Sequence, residues 1–233
     1  MRERSTVTPP LMLFAAGFGT RMGALTRDRP KPLIEVAGKP LIDHALALAD
    51  GAGVPRIVAN THYRPEMIEA HLGPCNVQTA RETPDILDTG GGLRHALPLL
   101  GADTVMTLNS DAVWAGPNPL RQLLDAWDPT RMDALLLCVP MAQVHGRDGR
   151  GDFTLRPDGQ IVRGPDTVYA GAQILNTGRL HDVRDTAFSL NVVWNAMAAD
   201  GRLFGLSYPG HWCDVGHPGG ITEAEAMLAA HHV

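Results

Sequence analysis

Cysteine is scarce in this sequence, and the three present, Cys75, Cys138 and Cys213, lie far apart. They offer neither a disulfide framework nor the close pairs of a zinc site, so a reduced, cytoplasmic protein is expected. Aromatic residues make up only 5% of 233 positions, which leaves the core to Leu, Ala, Val and Ile. A basic excess is missing too: 20 Lys and Arg stand against 25 Asp and Glu, a net charge of −5. Nucleic-acid binders are usually basic, so that partner is not expected, although an acidic average leaves room for a local phosphate site. No apolar run approaches the roughly 20 residues that cross a bilayer. The polar segment 1–10 carries no apolar signal-peptide stretch, so a membrane partner is not expected either.

What the chain does contain is 44% hydrophobic residues, enough for a substantial core. Its length suits one α/β domain over residues 11–233. Leu11 to Ala16 (LMLFAA) reads as a buried parallel strand stopped by Gly17. Further strands are expected at 54–59, 76–80, 104–108, 134–139, 168–175 and 203–208. Helical spacing marks 40–53, 64–72, 92–100, 118–127, 191–200 and 221–230. Pro157-Asp158-Gly159 reads as the turn of a hairpin over 153–162. Strands alternate with helices through the first half, as in right-handed βαβ units. The hairpin breaks that alternation, so the expected sheet is mixed but mostly parallel.

The segment Ala15-Ala16-Gly17-Phe18-Gly19-Thr20-Arg21-Met22, followed by Arg29-Pro30-Lys31-Pro32-Leu33, carries the strongest chemical signal. A strand ends, two glycines permit a sharp turn, and backbone N–H groups become free for phosphate oxygens. Arg21 offers a planar fork of donors and Lys31 a mobile point charge. The third glycine of a dinucleotide fingerprint is displaced: Met22 occupies its position and Gly23 comes one residue late. By themselves the glycines are equally compatible with an ordinary strand-to-helix turn. Asp111 follows an apolar strand, where it is placed either to hold a hard cation or to cap a helix. Asp214 reads on its own as a turn residue. His211 and His217 read as turn or packing residues, and Cys213 as packing.

These stretches together resemble the sugar-1-phosphate nucleotidylyltransferases. The resemblance runs from Leu11 to about Leu228 and is nearest to the bacterial N-acetylmuramate-1-phosphate uridylyltransferase group. It rests on AAGFGTRM with RPKPL, GKPLIDHAL, Asn60-Thr61-His62, DTGGGLRHALPLLG, LNSD, GRGDF and GHWCDVG. It implies the three-layer α/β/α, Rossmann-like nucleotide-diphosphosugar transferase fold. It also implies a nucleotide-binding half at about 11–115 and a sugar-binding half at about 116–233. The implied partners are a nucleoside triphosphate, UTP by this likeness, and a sugar 1-phosphate, joined with release of pyrophosphate. The implied cofactor is Mg²⁺, with Mn²⁺ as a substitute.

By the same likeness, Arg21 and Lys31 are catalytic cations, and Asp111 and Asp214 are metal ligands. Ala15, Ala16, Gly17, Gly19, Thr20, Glu82, Gly90 and Gly91 would bind the nucleotide. Asn109, Gly151, Asp152 and Asn176 would bind the sugar. The Glu-Lys-Pro of many relatives, whose lysine meets the sugar phosphate, is missing, which leaves Arg147 or Arg150 for that task. A guanylyl- or cytidylyltransferase for a hexose or heptose 1-phosphate is the alternative within the class. A non-catalytic nucleotide-sugar-binding module is the alternative outside it, against which Arg21, Lys31, Asp111 and Asp214 all stand. Without a long C-terminal extension, a monomer is the default expectation.

Overall fold

The LMLF segment is apolar at every position because it is covered on both sides. In a computed structural model of the protein, which describes residues 8–232, Leu11 and Leu13 belong to one core cluster and Met12 to another. Most of the N-terminal polar segment, residues 1–7, lies outside the described residues. The same alternation recurs at 134–139, where Leu135, Leu137 and Val139 face one side and Ala134, Leu136 and Cys138 the other. Two-sided burial is what makes these strands read as continuous hydrophobic runs.

In chain order the elements are β1 (Leu11–Phe14), β2 (Glu35–Val36), β3 (Lys39–Pro40), α1 (Leu41–Gly51), β4 (Ile57–Thr61), α2 (Pro65–Leu72), β5 (Gln78–Arg81), α3 (Asp88–Leu100), β6 (Thr104–Asn109) and β7 (Ala112–Ala115). Then come α4 (Pro119–Ala126), β8 (Ala134–Pro140), β9 (Val144–His145), β10 (Phe153–Leu155), β11 (Ile161–Arg163), β12 (Thr167–Asn176), α5 (Leu190–Ala199), β13 (Leu203–Ser207), β14 (His211–Asp214) and α6 (Pro218–Ala230).

The main sheet has nine strands. β5, β4, β1 and β6 run parallel, β12 lies antiparallel to β6 and β8, and β13 returns parallel to β8. Helices α1, α2 and α4 pack toward the cluster that holds Leu11 and Leu13, and α3 and α5 toward the one that holds Met12. The expected mixed, mostly parallel α/β sheet is therefore present. The β10–β11 hairpin pairs with the start of β12 at Phe153–Thr167, and its turn bridges β13 at Gln160–Phe204.

A second sheet of three strands was not foreseen. In it β14 lies antiparallel to β7 and parallel to β9. Two-residue β9 and four-residue β7 are too short to show a period.

Candidate active site

Register places the site. Phe14 pairs with Asn60 on β4 and with Asn109 on β6, so three neighbouring strands end in one row at the carboxyl edge of the sheet. Beyond that edge the chain from Ala15 to Pro30 loops out. Gly19 holds a left-handed φ of 63°, and a Cβ there would sit 2.9 Å from both the Lys31 Cβ and the Thr26 Cγ2, so only glycine fits. Thr26 closes the loop by donating its hydroxyl to the Gly19 carbonyl at 3.0 Å. From outside, the Tyr63 hydroxyl donates to the Thr26 carbonyl at 2.8 Å and Arg64 Nη2 to the Arg27 carbonyl at 2.7 Å. The exposed Phe18 ring meets His62 edge-on at 5.3 Å.

The loop and the strand ends enclose a cavity of about 300 Å³. Ala15, Ala16, Gly17, Gly19, Thr20, Arg21 and Lys31 line one side, and Asn60, Asp88, Thr89, Asn109, Asp111 and Gly216 the other. The Ala15 N–H is already taken by Asn60 Oδ1 at 2.8 Å. Among the described residues no protein acceptor takes the N–H of Gly17, Phe18 or Gly19.

Lys31 is 7% exposed, and its Nζ lies 2.8 Å from Asp111 Oδ2. A buried ammonium needs such a partner. The small second sheet brings in the other carboxylate. Asp214, the last residue of β14, pairs with Ala112, next to Asp111, and the Val215 N–H donates to the Asp111 carbonyl at 3.0 Å. Burial holds the Asp214 carboxyl above its ordinary range, and the like charge of Asp111 pushes the same way; Lys31, Arg21 and Arg147 oppose both. Arg21 reaches this pair across Gly216. A Cβ on Gly216 would lie 2.8 Å from Asp214 Oδ2 and 3.0 and 3.1 Å from the two guanidinium nitrogens of Arg21. Arg21, Lys31 and Asp111 thus line the cavity, and Asp214 stands beside them without lining it.

A second cavity of about 330 Å³ adjoins the first, sharing Phe14, Asp88, Thr89 and Asn109 as a common wall. Arg147, Asp152, Phe153, Arg163, Tyr169 and Asn191 also line it. Asp152 accepts from Arg147 Nη2 at 2.7 Å and from the Tyr169 N–H at 3.0 Å. Two joined cavities, one rimmed by free backbone amides and cations and the other by polar side chains and rings, suit a pair of phosphate-bearing ligands meeting at the shared wall; Asp214 lines neither cavity.

The profile of the MobA-like NTP transferase domain matches residues 11–155. The chain belongs to this family. N-acetylmuramate alpha-1-phosphate uridylyltransferase of Caulobacter vibrioides is 41% identical over 94% of this chain and 96% of its own. The enzyme of the same name from Neisseria meningitidis serogroup B is 31% identical over 94% and 98%. Among solved structures, HddC from Yersinia pseudotuberculosis complexed with GMP-PN shares the fold, with a TM-score of 0.76 at 21% identity over 94% of this chain and 98% of that one. The protein is a sugar-1-phosphate nucleotidyltransferase.

Several residues expected in the site of this nucleotidyltransferase lie elsewhere. Glu82 is 1% exposed and lines neither cavity; Oε1 accepts from Asn60 Nδ2 and Oε2 from the Leu87 N–H, each at 2.7 Å. Gly90 and Gly91 are not a platform at the cavity. They sit in the first turns of α3, which starts at Asp88, with Phe188 and Thr186 against them. A Cβ on Gly90 would fall 2.3 Å from the Phe188 ring, and one on Gly91 2.4 Å from the Thr186 carbonyl, so these glycines serve packing. Asn176 stands opposite Thr104, at the start of β6 and so at the far edge of the sheet, and its side chain accepts from the Gly178 N–H. The reversed direction of β12 carries it away. Gly151 is wedged against the carbonyls of Pro165 and Thr167 and lines neither cavity.

Of the two arginines considered for the sugar phosphate, Arg147 lines the second cavity and Arg150 does not. Asp111 caps no helix, because β7 follows it and Asn118 caps α4. His217 caps α6 through the Gly220 N–H, and His211 pairs with His145 at 3.1 Å. Burial pushes the Cys213 thiol up to about 12, with Glu223 and Asp214 adding to it, so it is held as an inert thiol. Asn60, part of a shared stretch in the sequence, has no role assigned to it there. Only the register of β1 with β4 reveals it as the link between Ala15 and Glu82.

Proposed function

We propose that the protein joins UTP to N-acetylmuramate 1-phosphate, forming the UDP-sugar and pyrophosphate in the cytoplasmic recycling of cell-wall sugars. The observation that carries the reading is the gathering of Arg21, Lys31 and Asp111 on the wall of the first cavity with Asp214 beside them, in a chain 41% identical to a protein of that activity.

A phosphate oxygen of the sugar phosphate attacks the α-phosphorus of the nucleotide. The bond from that phosphorus to the bridging oxygen breaks, and pyrophosphate leaves. The nucleophile is already an anion, so no base and no covalent intermediate are needed. The protein's part is alignment and neutralisation. The loop amides of residues 17–19 and the Arg21 fork hold the outgoing phosphates, Lys31 meets the α-phosphate, and Arg147 meets the sugar phosphate. Asp111 and Asp214 offer carboxylate oxygens, and the neighbouring Cys213 is kept a protonated thiol by burial, so the pair fits a hard cation that prefers oxygen ligands; Mg²⁺, or Mn²⁺ in its place, is the ion proposed. Among the described residues no group of three or more His, Cys, Asp or Glu gathers as a metal cage, and Mg²⁺ needs only one or two carboxylates when phosphates supply the rest. Bound there, it would screen the charge of the two phosphates from each other.

The test is pyrophosphate release with Mg²⁺ across UTP, GTP, CTP, ATP and dTTP and four sugar 1-phosphates, those of N-acetylmuramate, N-acetylglucosamine, glucose and mannose. Turnover confined to UTP and N-acetylmuramate 1-phosphate supports the assignment. Turnover with GTP or CTP and another sugar would replace it with the guanylyl- or cytidylyltransferase alternative. With the productive pair, Lys31→Met should lower kcat by about 10²-fold or more, as expected for one preorganised electrostatic donor. Near-normal kcat would remove Lys31 from the mechanism.

A further inference from the structure

The second cavity contains a cation, Arg163, that no carboxylate among the described residues neutralises. Four charged side chains line it: Asp88, Arg147, Asp152 and Arg163. Arg147 and Asp152 satisfy each other at 2.7 Å. Asp88 folds back onto the Thr89 N–H at the start of α3. Arg163 has no carboxylate partner among the described residues. Its Nη2 donates to the side-chain oxygens of Asn191 at 2.6 Å and Asn195 at 3.2 Å, and its guanidinium lies 4.6 Å from the centre of the Phe153 ring. Two neutral oxygens and a ring fix the orientation of the guanidinium and leave its charge and remaining donors unmatched. An exposed arginine usually wanders; this one is clamped at the cavity rim.

Position separates Arg163 from the phosphate chemistry. The charge of Arg147, which follows β9, reaches the Asp214 carboxyl. Arg163 ends β11, three strands from β6 along the path β11–β10–β12–β6. At about 4.8 Å per strand, its backbone stands roughly 14 Å from the strand that delivers Asp111. A sugar phosphate entering this cavity with its phosphate at Arg147 and Asp214 would have the far side of its ring toward Arg163.

We propose that Arg163 recognises a carboxylate borne by the sugar on the side away from the phosphate. The specificity is thus for an acidic sugar 1-phosphate, and the group read is the lactyl carboxylate of N-acetylmuramate. This rests on the functional reading above and deepens it. A fork held in advance is suited to the planar carboxylate and loses little freedom on binding. Arg163 is a specificity residue here; it takes no part in the transfer.

The decisive comparison is between N-acetylmuramate 1-phosphate and its lactyl methyl ester, which keeps the shape and loses the charge. Wild type should prefer the acid by about 10- to 100-fold in kcat/KM, the range of one charge-assisted hydrogen bond. Arg163→Gln should erase that preference by lowering kcat/KM for the acid alone, mainly through KM, with UTP affinity unchanged. Arg163→Lys should restore part of it. Circular dichroism and the thermal midpoint establish that each variant is folded. Equal losses on acid and ester would assign Arg163 to clamping β11 onto α5 and overturn the proposal. So would a wild type that treats the two alike, or a Gln variant that keeps the preference. Those results leave the proposed function standing; a wild type that turns over neither compound with UTP overturns both.

Discussion

Replacing Glu82 by glutamine tests whether this carboxylate supports the site or touches the ligand. The side chain is buried and accepts two hydrogen bonds of 2.7 Å, from Asn60 Nδ2 and the Leu87 N–H. Glutamine keeps one acceptor oxygen and turns the other into a donor. Whichever way it points, one buried donor then faces another. Losing one hydrogen bond to a charged acceptor costs about 1.5–3 kcal/mol. In a chain of this size, 1 kcal/mol moves the thermal midpoint by about 2–4 °C, so the midpoint should fall by roughly 3–12 °C. Glu82→Ala, which strands both donors, should fall further. Nucleotide affinity, measured calorimetrically well below the transition, should change little in Glu82→Gln, because Asn60 can still hold the Ala15 N–H. An unchanged midpoint together with a large loss of nucleotide affinity would refute this account and return Glu82 to the binding surface.

Gly216→Ala should reduce kcat by about 10-fold or more with little change in midpoint, since the nearest atoms to the added methyl belong to the Asp214 and Arg21 side chains; wild-type kcat would mean that the two can move apart freely. Gly90→Ala should cost about 1–3 kcal/mol by overpacking against Phe188, read as a lower midpoint in calorimetry. His44 offers a pH test. It is bonded to the Val36 carbonyl at 3.0 Å, and burial, the largest influence, lowers its pKa below the ordinary 6.5. The unfolded chain therefore takes up this proton first, and stability should decline as pH falls below about 6.5. His44→Gln should flatten that part of a stability-against-pH curve obtained by urea titration.

The parallel half of the fold was legible because its strands are buried on both faces and spell themselves as runs: LMLF, TVMTL and ALLLCV. The loop with Arg21 and Lys31 was legible from its glycines and cations. What failed was direction and facing. Asn176 ends a strand, as Asn109 does, but β12 runs the other way; the hairpin before it marks an antiparallel piece in this half without saying that β12 is the strand reversed. The glycines at 90 and 91 announce close approach, without saying that Phe188 and Thr186 are what approach. Asp111 was read as placed either to hold a cation or to cap a helix; four residues, AVWA, are too few to reveal the strand that follows it. Arg163, at the end of a short hairpin, resembles any solvent-facing arginine until Asn191, Asn195 and Phe153 are seen around it.

The strand end that bears Arg163 is exposed, although the hairpin behind it buries Phe153 and Ile161 and bonds both β12 and β13, whereas the loop of residues 15–30 springs from the middle of four parallel strands. Sequence change in the two regions therefore has different consequences. Alterations at the loop meet the buried Thr26 and Lys31, while the exposed side chain at the end of β11 can be exchanged with Phe153 and Ile161 left in place. With Arg163 reading the sugar as proposed, an architecture of this kind lets one half of a reaction drift toward new acceptors while the other stays fixed, and the end of β11 becomes the place to redirect the enzyme to a different sugar.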